Sequence, residues 1–394
     1  MAAPLVIWDE QMLGYDLGGR HPMHPDRWVL TWALAESLGV LDGVERFAPP
    51  PADDGTLQLV HSPRYLEAVK RASVEPPAPP VGHGIGSTDT PAFPGMHTSS
   101  ALIAGGSVAA AQAIARHDVD RAVNIAGGLH HAMPDAASGF CVYNDAALAI
   151  ATLLAEGVER VAYIDVDVHH GDGVQAAFYD DPRVLTISIH ETPQALWPGT
   201  GWASELGRGA AAGTAVNIGV PAGTTDAAWH RAFHAVVPSV VTAFRPQVLV
   251  TQHGADSHRE DPLADLNLTV DGHRESYRAL RELAERAAGG RWLALGGGGY
   301  SVVRVVPRSW TNLLATVLDR DIDPRTGIGA GWLARAAELR PHIEAPTTMT
   351  EGAPDGIVFE PWDGMPELPV DRVIDDVRRA VFPLHGLDPF DPRD

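Results

Sequence analysis

The chain has 394 residues, which is long for an average domain but within the range of one large α/β domain. Its 29 Lys and Arg against 50 Asp and Glu give a formal net charge of −21, so its surface repels phosphate backbones and no nucleic-acid partner is expected. The single cysteine, Cys141, excludes an intrachain disulfide and a cysteine-rich zinc site, so a metal would need histidine and carboxylate ligands.

In chain order, residues 1–10 lack the basic region and the apolar core of a signal peptide. The chain also contains no run of about 18 apolar residues that would span a membrane. The sequence therefore predicts a soluble, cytoplasmic protein that has no membrane partner.

The first part of the chain contains a predicted strand and three predicted helices. Residues 5–9 predict a short buried strand, and 26–38 predict an amphipathic helix that begins after Pro25. Further helices are predicted at 63–72 and at 99–116. The long intervening loop, 74–98, is interpreted as functional, because loops of this length in compact domains are usually functional or linkers.

The middle of the chain alternates between strands and helices. Strands rich in Val, Ile and Leu with helices between them indicate a parallel sheet covered by helices on both faces. The predicted strands are 121–126, 160–167, 183–189, 214–218, 246–251 and 291–295, and the predicted helices are 144–156, 173–180, 225–244, 271–288 and 307–319. We therefore predict a single α/β domain over residues 1–320. The Pro- and acid-rich segment 321–394, with helices near 330–343 and 370–381, is expected to pack on it as a C-terminal extension.

The segment 161–173, VAYIDVDVHHGDG, ends an apolar run in five residues that can bind metal or move protons. These residues are Asp165, Asp167, His169, His170 and Asp172. In an extended strand, side chains two positions apart lie on the same side, so Asp165, Asp167 and His169 would converge and could hold a divalent cation. A helix N-cap with a surface charge cluster is the simpler alternative.

Polar residues follow five of the predicted strands. They lie in GGLHHAMPDAASGFCVYND (127–145), in 167–172, in 190–201 including LWPGTG, in QHGAD (252–256) and in GGGGY (296–300). Because ligands of open parallel sheets bind outside the carboxyl ends of the strands, one shared site explains these five segments better than five coincidences.

Each segment also has a simpler interpretation. Adjacent histidines such as His130 and His131 are often exposed, but the preceding Gly-Gly allows a sharp turn and close approach of a ligand. GGGGY could bind phosphate, yet no Lys-Ser/Thr follows it, so presenting Tyr300 to a pocket is the better interpretation. Asp256 could cap a helix. His253 and His258 are ambiguous, and the remaining histidines are interpreted as solvated or structural: His61, His83, His97, His117, His230, His234, His273 and His385.

Together these residues predict metal-assisted hydrolysis. Two carboxylates and one imidazole leave coordination positions for water and a substrate carbonyl. A neighbouring histidine can move the proton, and a tyrosine hydroxyl can donate to the oxyanion. The chain has no GxSxG elbow and no HExxH motif, so a serine hydrolase is disfavoured and a helical zincin is excluded.

The motifs GGLHHAMPDAASGFCVYND, YIDVDVHHGDGV, WPGTG, QHGADSHREDPL and LGGGGY resemble, in this order and over about residues 20–320, the zinc-dependent histone deacetylase family. HPMHPDR (21–27), GMH (95–97) and VVPRSW (305–310) are similar to its bacterial acetoin-utilisation branch. The resemblance implies the arginase–deacetylase fold, an α/β domain with a central parallel sheet.

The resemblance also implies roles for individual residues. Asp167, His169 and Asp256 would hold zinc (Zn²⁺), and iron(II) stays open because this ligand set tolerates both metals. His131 would be the general acid/base, paired with Asp172. His130 would be its electrostatic partner, paired with Asp165. Tyr300 would polarise the acyl carbonyl. The acyl-lysine channel would be lined by Gly139, Phe140 and Trp197. Asp89 would bind the substrate backbone at the rim of this channel. Arg27 would lie in an interior cavity. A structural monovalent cation, usually potassium (K⁺), would use Asp165, backbone carbonyls near Asp167 and His169, and Ser188.

The implied reaction is hydrolysis of the amide of N6-acetyl-lysine in proteins or peptides, with release of acetate. Acetyl-CoA synthetase is an expected protein substrate from the branch resemblance alone. Acetylpolyamines are the alternative substrates, and they are less favoured because no clear insertion narrows the entrance. A non-catalytic acyl-lysine binding module is disfavoured because it would not need Tyr300 or the histidine pair. The sequence leaves the oligomeric state open.

Overall fold

The computed structural model describes residues 3–74, 82–353, 356–365 and 367–394, and its described strands form one sheet in which every pairing is parallel. The strands are β1 (Leu5–Ile7), β2 (Arg46–Phe47), β3 (Arg121–Asn124), β4 (Val161–Asp165), β5 (Val184–Glu191), β6 (Ala215–Val220), β7 (Val248–Gln252) and β8 (Trp292–Leu295). Their order across the sheet is β2-β1-β3-β8-β7-β4-β5-β6.

Helices cover this sheet. They are α1 (Asp26–Ser37), α2 (Asp54–Leu57), α3 (Pro63–Ala72), α4 (Met96–Ala115), α5 (Asp145–Ala155), α6 (Asp172–Phe178), α7 (Asp226–Phe244), α8 (Val270–Ala288), α9 (Val306–Val317), α10 (Ala330–Leu339) and α11 (Pro369–Val381). Every residue of β3, β4, β7 and β8 is buried, as expected for apolar strands with helices on both faces. The predicted α/β fold with a central parallel sheet is confirmed.

The strand order brings the polar segments together. Late strands β8 and β7 lie between β3 and β4, and Gln252 is in register with Asp165 on one side and with Leu295 on the other. Leu295 in turn is in register with Asn124 of β3. The chain segments that follow these four strands therefore leave the sheet side by side at its carboxyl edge.

Some predicted boundaries are wrong. Helix α4 begins at Met96 rather than at residue 99, because Gly95 adopts a φ of 74° and turns the chain into the helix. Strand β4 ends at Asp165 rather than at residue 167, where the chain leaves the hydrogen-bonded ladder. Strand β2 was not predicted, since its two exposed residues show no apolar alternation. Residues 75–81 of the predicted loop 74–98 lie outside the described residues.

The C-terminal segment packs on the rest of the chain through buried polar contacts. The indole Nε1 of Trp332 in α10 donates to the carbonyl of Leu30 in α1 at 2.9 Å. Arg378 of α11 lies between the rings of Trp362 and Phe382. Its guanidinium donates to five backbone carbonyls, those of Ala235, Asp388, Pro389, Asp391 and Asp394.

Within the described part of the chain, one helix, α4, is long and apolar enough to cross a membrane. Its mean hydropathy is 1.2, and 72% of the tested window is buried inside the protein. Core helices have the same length and composition, so this helix is weak evidence for a membrane span.

Candidate active site

Three predicted ligands meet at the carboxyl edge of the sheet. One ligand atom each from Asp167, His169 and Asp256 can be chosen so that all lie within 4.8 Å of one another, and all three residues are buried. Glycine keeps the adjacent space clear, because a Cβ on Gly298 would lie 2.0 Å from Asp256 Oδ2 and 2.9 Å from Asp167 Oδ2. The backbone of the glycine-rich loop can therefore pass directly beside the two carboxylates.

The electrostatics of this cluster fit a cation. Asp256 Oδ2 is buried without a hydrogen-bond partner among the described residues. Burial and the nearby Asp167 raise the pKa of Asp256 to about 6. Burial alone would lower the pKa of His169, but the two carboxylates outweigh it and raise that pKa to about 10. Positive charge is thus favoured between these side chains, and two carboxylates with one imidazole suit zinc or iron(II).

The tandem histidines lie beside the cluster, with ring centroids 3.9 Å apart. His130 Nδ1 donates to Asp165 Oδ2 at 2.7 Å, and His131 Nδ1 donates to Asp172 Oδ1 at the same distance. A carboxylate at Nδ1 fixes the tautomer and the orientation of each ring. His130 Nε2 lies 3.9 Å from Asp167 Oδ2, so the pair is next to the carboxylate cluster.

The two histidines differ in charge. Burial would lower the pKa of His130, but Asp165 and Asp167 outweigh it and raise that pKa to about 9. Burial and the positive neighbour His130 lower the pKa of His131 to about 4. At neutral pH, His130 is therefore a cation and His131 a neutral base, a division of roles typical of paired catalytic groups.

Tyr300 ends the glycine-rich loop 296–300. Gly297 and Gly299 have φ angles of 157° and 129°, which residues with a Cβ rarely adopt. The backbone N–H of Tyr300 donates to Asp261 Oδ2 at 2.8 Å. Burial, together with Asp256, raises the pKa of the Tyr300 hydroxyl well above its usual value. The hydroxyl is thus held protonated and can act as a hydrogen-bond donor.

Aromatic rings lie between these groups and the surface. The Phe140 ring is 5.6 Å from that of Tyr300, and the Trp197 ring is 4.7 Å from that of His131. Gly139 and Phe140 both have positive φ, and a Cβ on Gly139 would lie 2.3 Å from the His131 ring. Trp197 is 47% exposed. The predicted channel residues therefore lie beside His131 and Tyr300.

The predicted rim residue, Asp89, lies in the loop that precedes α4. Its backbone carbonyl is 3.2 Å from Nε2 of His21, whose ring packs 4.4 Å from that of Phe140. The Asp89 carboxylate accepts a hydrogen bond from the hydroxyl of Thr90 at 3.1 Å. His21 thus contacts both the Asp89 backbone and the Phe140 ring.

Arg27 is 1% exposed and lies between the rings of Trp28 and Trp310. Its Nη1 donates to the carbonyl of Gly297 at 2.8 Å, whereas Nε and Nη2 have no partner among the described residues. This interior arginine therefore holds the glycine-rich loop 296–300 through the carbonyl of Gly297.

The residues predicted for a monovalent cation also lie together. Asp165 of β4 is directly in register with Ser188 of β5. The Asp165 carboxylate additionally accepts hydrogen bonds from the Tyr163 hydroxyl at 2.7 Å and from the Asp167 N–H at 3.1 Å.

The ambiguous histidines lie outside the cluster. His253 is buried with Nε2 2.7 Å from the hydroxyl of Thr251, and His258 is buried with Nε2 3.0 Å from Glu351. His170 also takes no part in the cluster, since its ring contacts Thr200 and Gln175.

Sequence reasoning assigned no role to three residues that hold the site, although all three lie in the quoted motifs. Gln252 donates from Nε2 to Asp167 Oδ2 at 2.8 Å, and its place at the end of β7 was a usable signal. Tyr163 contacts Asp165, and the period of two along β4 could have identified it. Asp261 lies in the quoted motif QHGADSHREDPL, but its bond to a backbone N–H of a distant loop depends on loop conformation, which the motif does not specify.

The chain is similar to known proteins over most of its length. The model of the histone deacetylase domain matches residues 21–317. The acetoin utilization protein AcuC of Bacillus subtilis is 36% identical over 388 residues, covering 98% of each chain. AcuC of Staphylococcus aureus (strain MSSA476) is 36% identical over 318 residues, covering 80% of this chain and 82% of the relative.

A solved structure, described as an HDAC homolog complexed with SAHA, superimposes with a TM-score of 0.82 and 28% identity. The match covers 96% of this chain and all of that one, so the fold is the arginase–deacetylase fold. With the family model spanning most of the chain and a relative matching over nearly its whole length, this chain belongs to the histone deacetylase family, in its acetoin-utilisation branch.

Proposed function

We propose that this protein is a zinc-dependent deacetylase that hydrolyses the amide of N6-acetyl-lysine in proteins and releases acetate. The observation that supports this most strongly is the histidine pair beside the cation-favouring cluster, with the pKa of His131 lowered to about 4 and that of His130 raised to about 9. A binding module would have no need for one neutral and one charged imidazole beside a metal site.

Asp167, His169 and Asp256 would hold the metal. When bound, zinc would polarise the acyl carbonyl and lower the pKa of a water molecule. Iron(II) is the other metal that this ligand set accepts, and metal analysis distinguishes the two.

His131 moves the proton in the proposed reaction. As a neutral base, it accepts a proton from the attacking water and later donates it to the departing ε-amine. Asp172 holds the ring through Nδ1, so Nε2 carries the transferred proton. His130, charged and paired with Asp165, stabilises negative charge that develops beside it.

Tyr300 stabilises the oxyanion in this proposal. Its protonated hydroxyl donates to the acyl oxygen as that atom gains charge. Phe140 and Trp197 contact the methylene stem of the acylated lysine, for which aromatic walls are suited. Asp89 at the rim binds the substrate backbone.

A structural potassium ion belongs to the same proposal. The register of Asp165 with Ser188 supports a site formed by these residues and by backbone carbonyls near Asp167 and His169. We also propose that residues 1–320 form the catalytic domain, that 321–394 form an extension packed on it, and that the protein acts in the cytoplasm. Acetyl-CoA synthetase, proposed from the branch alone, is a protein substrate to include in the test.

The test measures free acid released from acetyl-lysine peptides, acetylated acetyl-CoA synthetase, acetylpolyamines and longer acyl-lysine peptides, with metal analysis of the same sample. The expected result is acetate release from lysine substrates by protein that contains zinc, and its loss after treatment with a chelator. Faster hydrolysis of acetylpolyamines would replace the lysine assignment. Peptide binding without acid release, in protein loaded with metal, would overturn the enzyme assignment.

A further inference from the structure

Two buried histidines outside the metal cluster bind the channel loop, which we define as residues 192–206. His170 is 2% exposed and His190 is 0% exposed, and their ring centroids lie 5.0 Å apart. His170 Nδ1 lies 2.8 Å from the hydroxyl of Thr200, and His190 Nε2 lies 3.0 Å from the carbonyl of Gly201. Both rings therefore contact the channel loop from inside the protein.

The remaining bonds of these rings are consistent with one arrangement of protons. A carbonyl only accepts, so His190 Nε2 donates to Gly201, and its Nδ1 accepts from the Ser188 hydroxyl at 2.9 Å. His170 Nε2 faces Gln175 Oε1 at 3.2 Å and donates to it, and its Nδ1 accepts from Thr200. In this arrangement each ring is a neutral imidazole in which one nitrogen donates and the other accepts, so both rings hold the channel loop.

Glu205 binds the loop from its other end. Its Oε1 accepts hydrogen bonds from the backbone N–H groups of Gly201 at 2.9 Å and Trp202 at 3.1 Å. Its Oε2 accepts from Gln175 Nε2 of α6 at 2.7 Å. Gln175 Oε1 in turn accepts from Asn217 of β6 at 2.8 Å. The turn at Gly201 is thus fixed to a helix and a strand of the scaffold.

The approach of the histidines to this turn is close. Gly201 has a φ of 90°, and a Cβ there would lie 2.5 Å from His190 Nε2 and 2.7 Å from the His170 ring. Trp197 lies just before the same turn and packs against His131, yet 47% of it is exposed. Packing on its inner side alone is a weak restraint, so the position of Trp197 depends on the anchoring of the turn.

We propose that His170, His190 and Glu205 are positioning residues that hold Trp197 as a wall of the acyl-lysine channel and thereby set its selectivity for the acyl group. This inference rests on the proposed deacetylase function. The three side chains act through the channel loop, and the role differs from general stabilisation because it predicts a change in KM and in acyl selectivity.

The kinetic test uses Glu205, the least buried of the three. We expect Glu205→Ala to raise KM for an acetyl-lysine peptide about tenfold, with kcat within about twofold, because uniform binding is lost and the chemistry is kept. The ratio of kcat/KM for butyryl-lysine to that for acetyl-lysine should rise about fivefold, since a loose wall discriminates less between chain lengths. Glu205→Gln keeps an oxygen for the two N–H groups but loses the acceptor for Gln175 Nε2, so its KM should lie between those of Glu205→Ala and wild type.

The matched control is Glu282→Ala, because Glu282 is exposed on α8 and makes no hydrogen bond or ion pair among the described residues. It should leave KM, kcat and the selectivity ratio at wild-type values. An unchanged KM and ratio in Glu205→Ala would overturn the inference, and so would an equal change in the control.

Hydrogen exchange tests the anchoring independently of activity. The amides of Gly201 and Trp202 donate to Glu205, so they should exchange at least about tenfold faster in Glu205→Ala than in wild type. Equal exchange rates would overturn the inference even if the kinetics changed. If wild type hydrolyses no substrate of the panel, the proposed deacetylase function fails, and the channel selectivity inferred from it falls with it.

Discussion

The carboxyl edge of the sheet and the C-terminal segment both bury charged side chains, but they differ in how these are satisfied. At the carboxyl edge, Asp256 Oδ2 and two nitrogens of Arg27 are buried without hydrogen-bond partners among the described residues. In the C-terminal segment, the guanidinium of Arg378 donates to five carbonyls and lies between Trp362 and Phe382.

For charged side chains, this difference points to chemistry at the carboxyl edge and to folding in the C-terminal segment, where the unpartnered buried side-chain atom among the described residues is the neutral indole Nε1 of Trp362. A buried polar group without a partner costs free energy, which a protein retains where a ligand completes the site. A buried group with all its partners stabilises the packed segment around it. Substitutions at the carboxyl edge should therefore change turnover more than stability, and substitutions in the C-terminal segment should do the reverse.

The largest expected effect is that of His131→Ala. Without the neutral base, kcat should fall about 10³-fold, equivalent to about 4 kcal/mol in the activation free energy. Acid release from an acetyl-lysine peptide measures kcat, while thermal unfolding and metal content should remain as in wild type. His342→Ala, at an exposed position, is the control. Turnover within tenfold of wild type would contradict the assigned role.

Next in size is Arg378→Met, which removes the donors to the five carbonyls. We expect the free energy of unfolding to fall by about 3 kcal/mol, because five hydrogen bonds from a buried charged group are lost and the carbonyl of the buried Ala235 is left unpaired. Urea denaturation measures the change, and kcat of the folded protein should be unchanged. Arg379→Met, at an exposed neighbour, should have little effect. Superimposable urea unfolding curves for Arg378→Met and Arg379→Met would contradict the folding role assigned to the charged side chains of the C-terminal segment.

A smaller effect is expected for Asp261→Ala. The Asp261 carboxylate at the carboxyl edge has hydrogen-bond partners, and the variant tests whether such a residue also contributes to turnover. The variant leaves the Tyr300 N–H without its acceptor, so the hydroxyl is less well placed. We expect kcat to fall about tenfold, or about 1.4 kcal/mol, with KM and bound metal retained. Asp265→Ala, at an exposed position, is the matched control. A loss of metal instead would show that Asp261 supports the ligands.

The smallest effect is the pH dependence of Glu351→Gln. His258 and Arg308 outweigh burial and lower the pKa of Glu351 from its ordinary 4.5 to about 2. A depressed pKa contributes stability that is fully present above pH 4.5 and is lost as the pH falls toward 2. Urea denaturation should show the variant less stable than wild type above pH 4.5, with the difference shrinking below it. If the difference in the free energy of unfolding between variant and wild type stays constant as the pH falls from 4.5 toward 2, the charge of Glu351 is not the cause of that difference.

Much of this molecule follows from local pattern. Apolar runs predicted most central strands, and polar residues after them predicted the shared site, because parallel strands end at one edge. The pattern could not predict β2, because the strand has only two residues, Arg46 and Phe47, and both are exposed. It also could not predict the bonds of Asp261 and Glu205 to backbone N–H groups, because loop conformation sets them.

The strand order has a consequence for synthesis on the ribosome. Strands β7 and β8 lie between β3 and β4, yet they are made after them, so the centre of the sheet is completed last. In a nascent chain that ends before Val248, one edge of β3 and one edge of β4 lack the strands β8 and β7 that cover them in the folded protein. Such edges pair readily with other chains, so incomplete chains of this topology are prone to aggregate. Truncation before Val248 should therefore yield aggregates rather than a smaller folded protein.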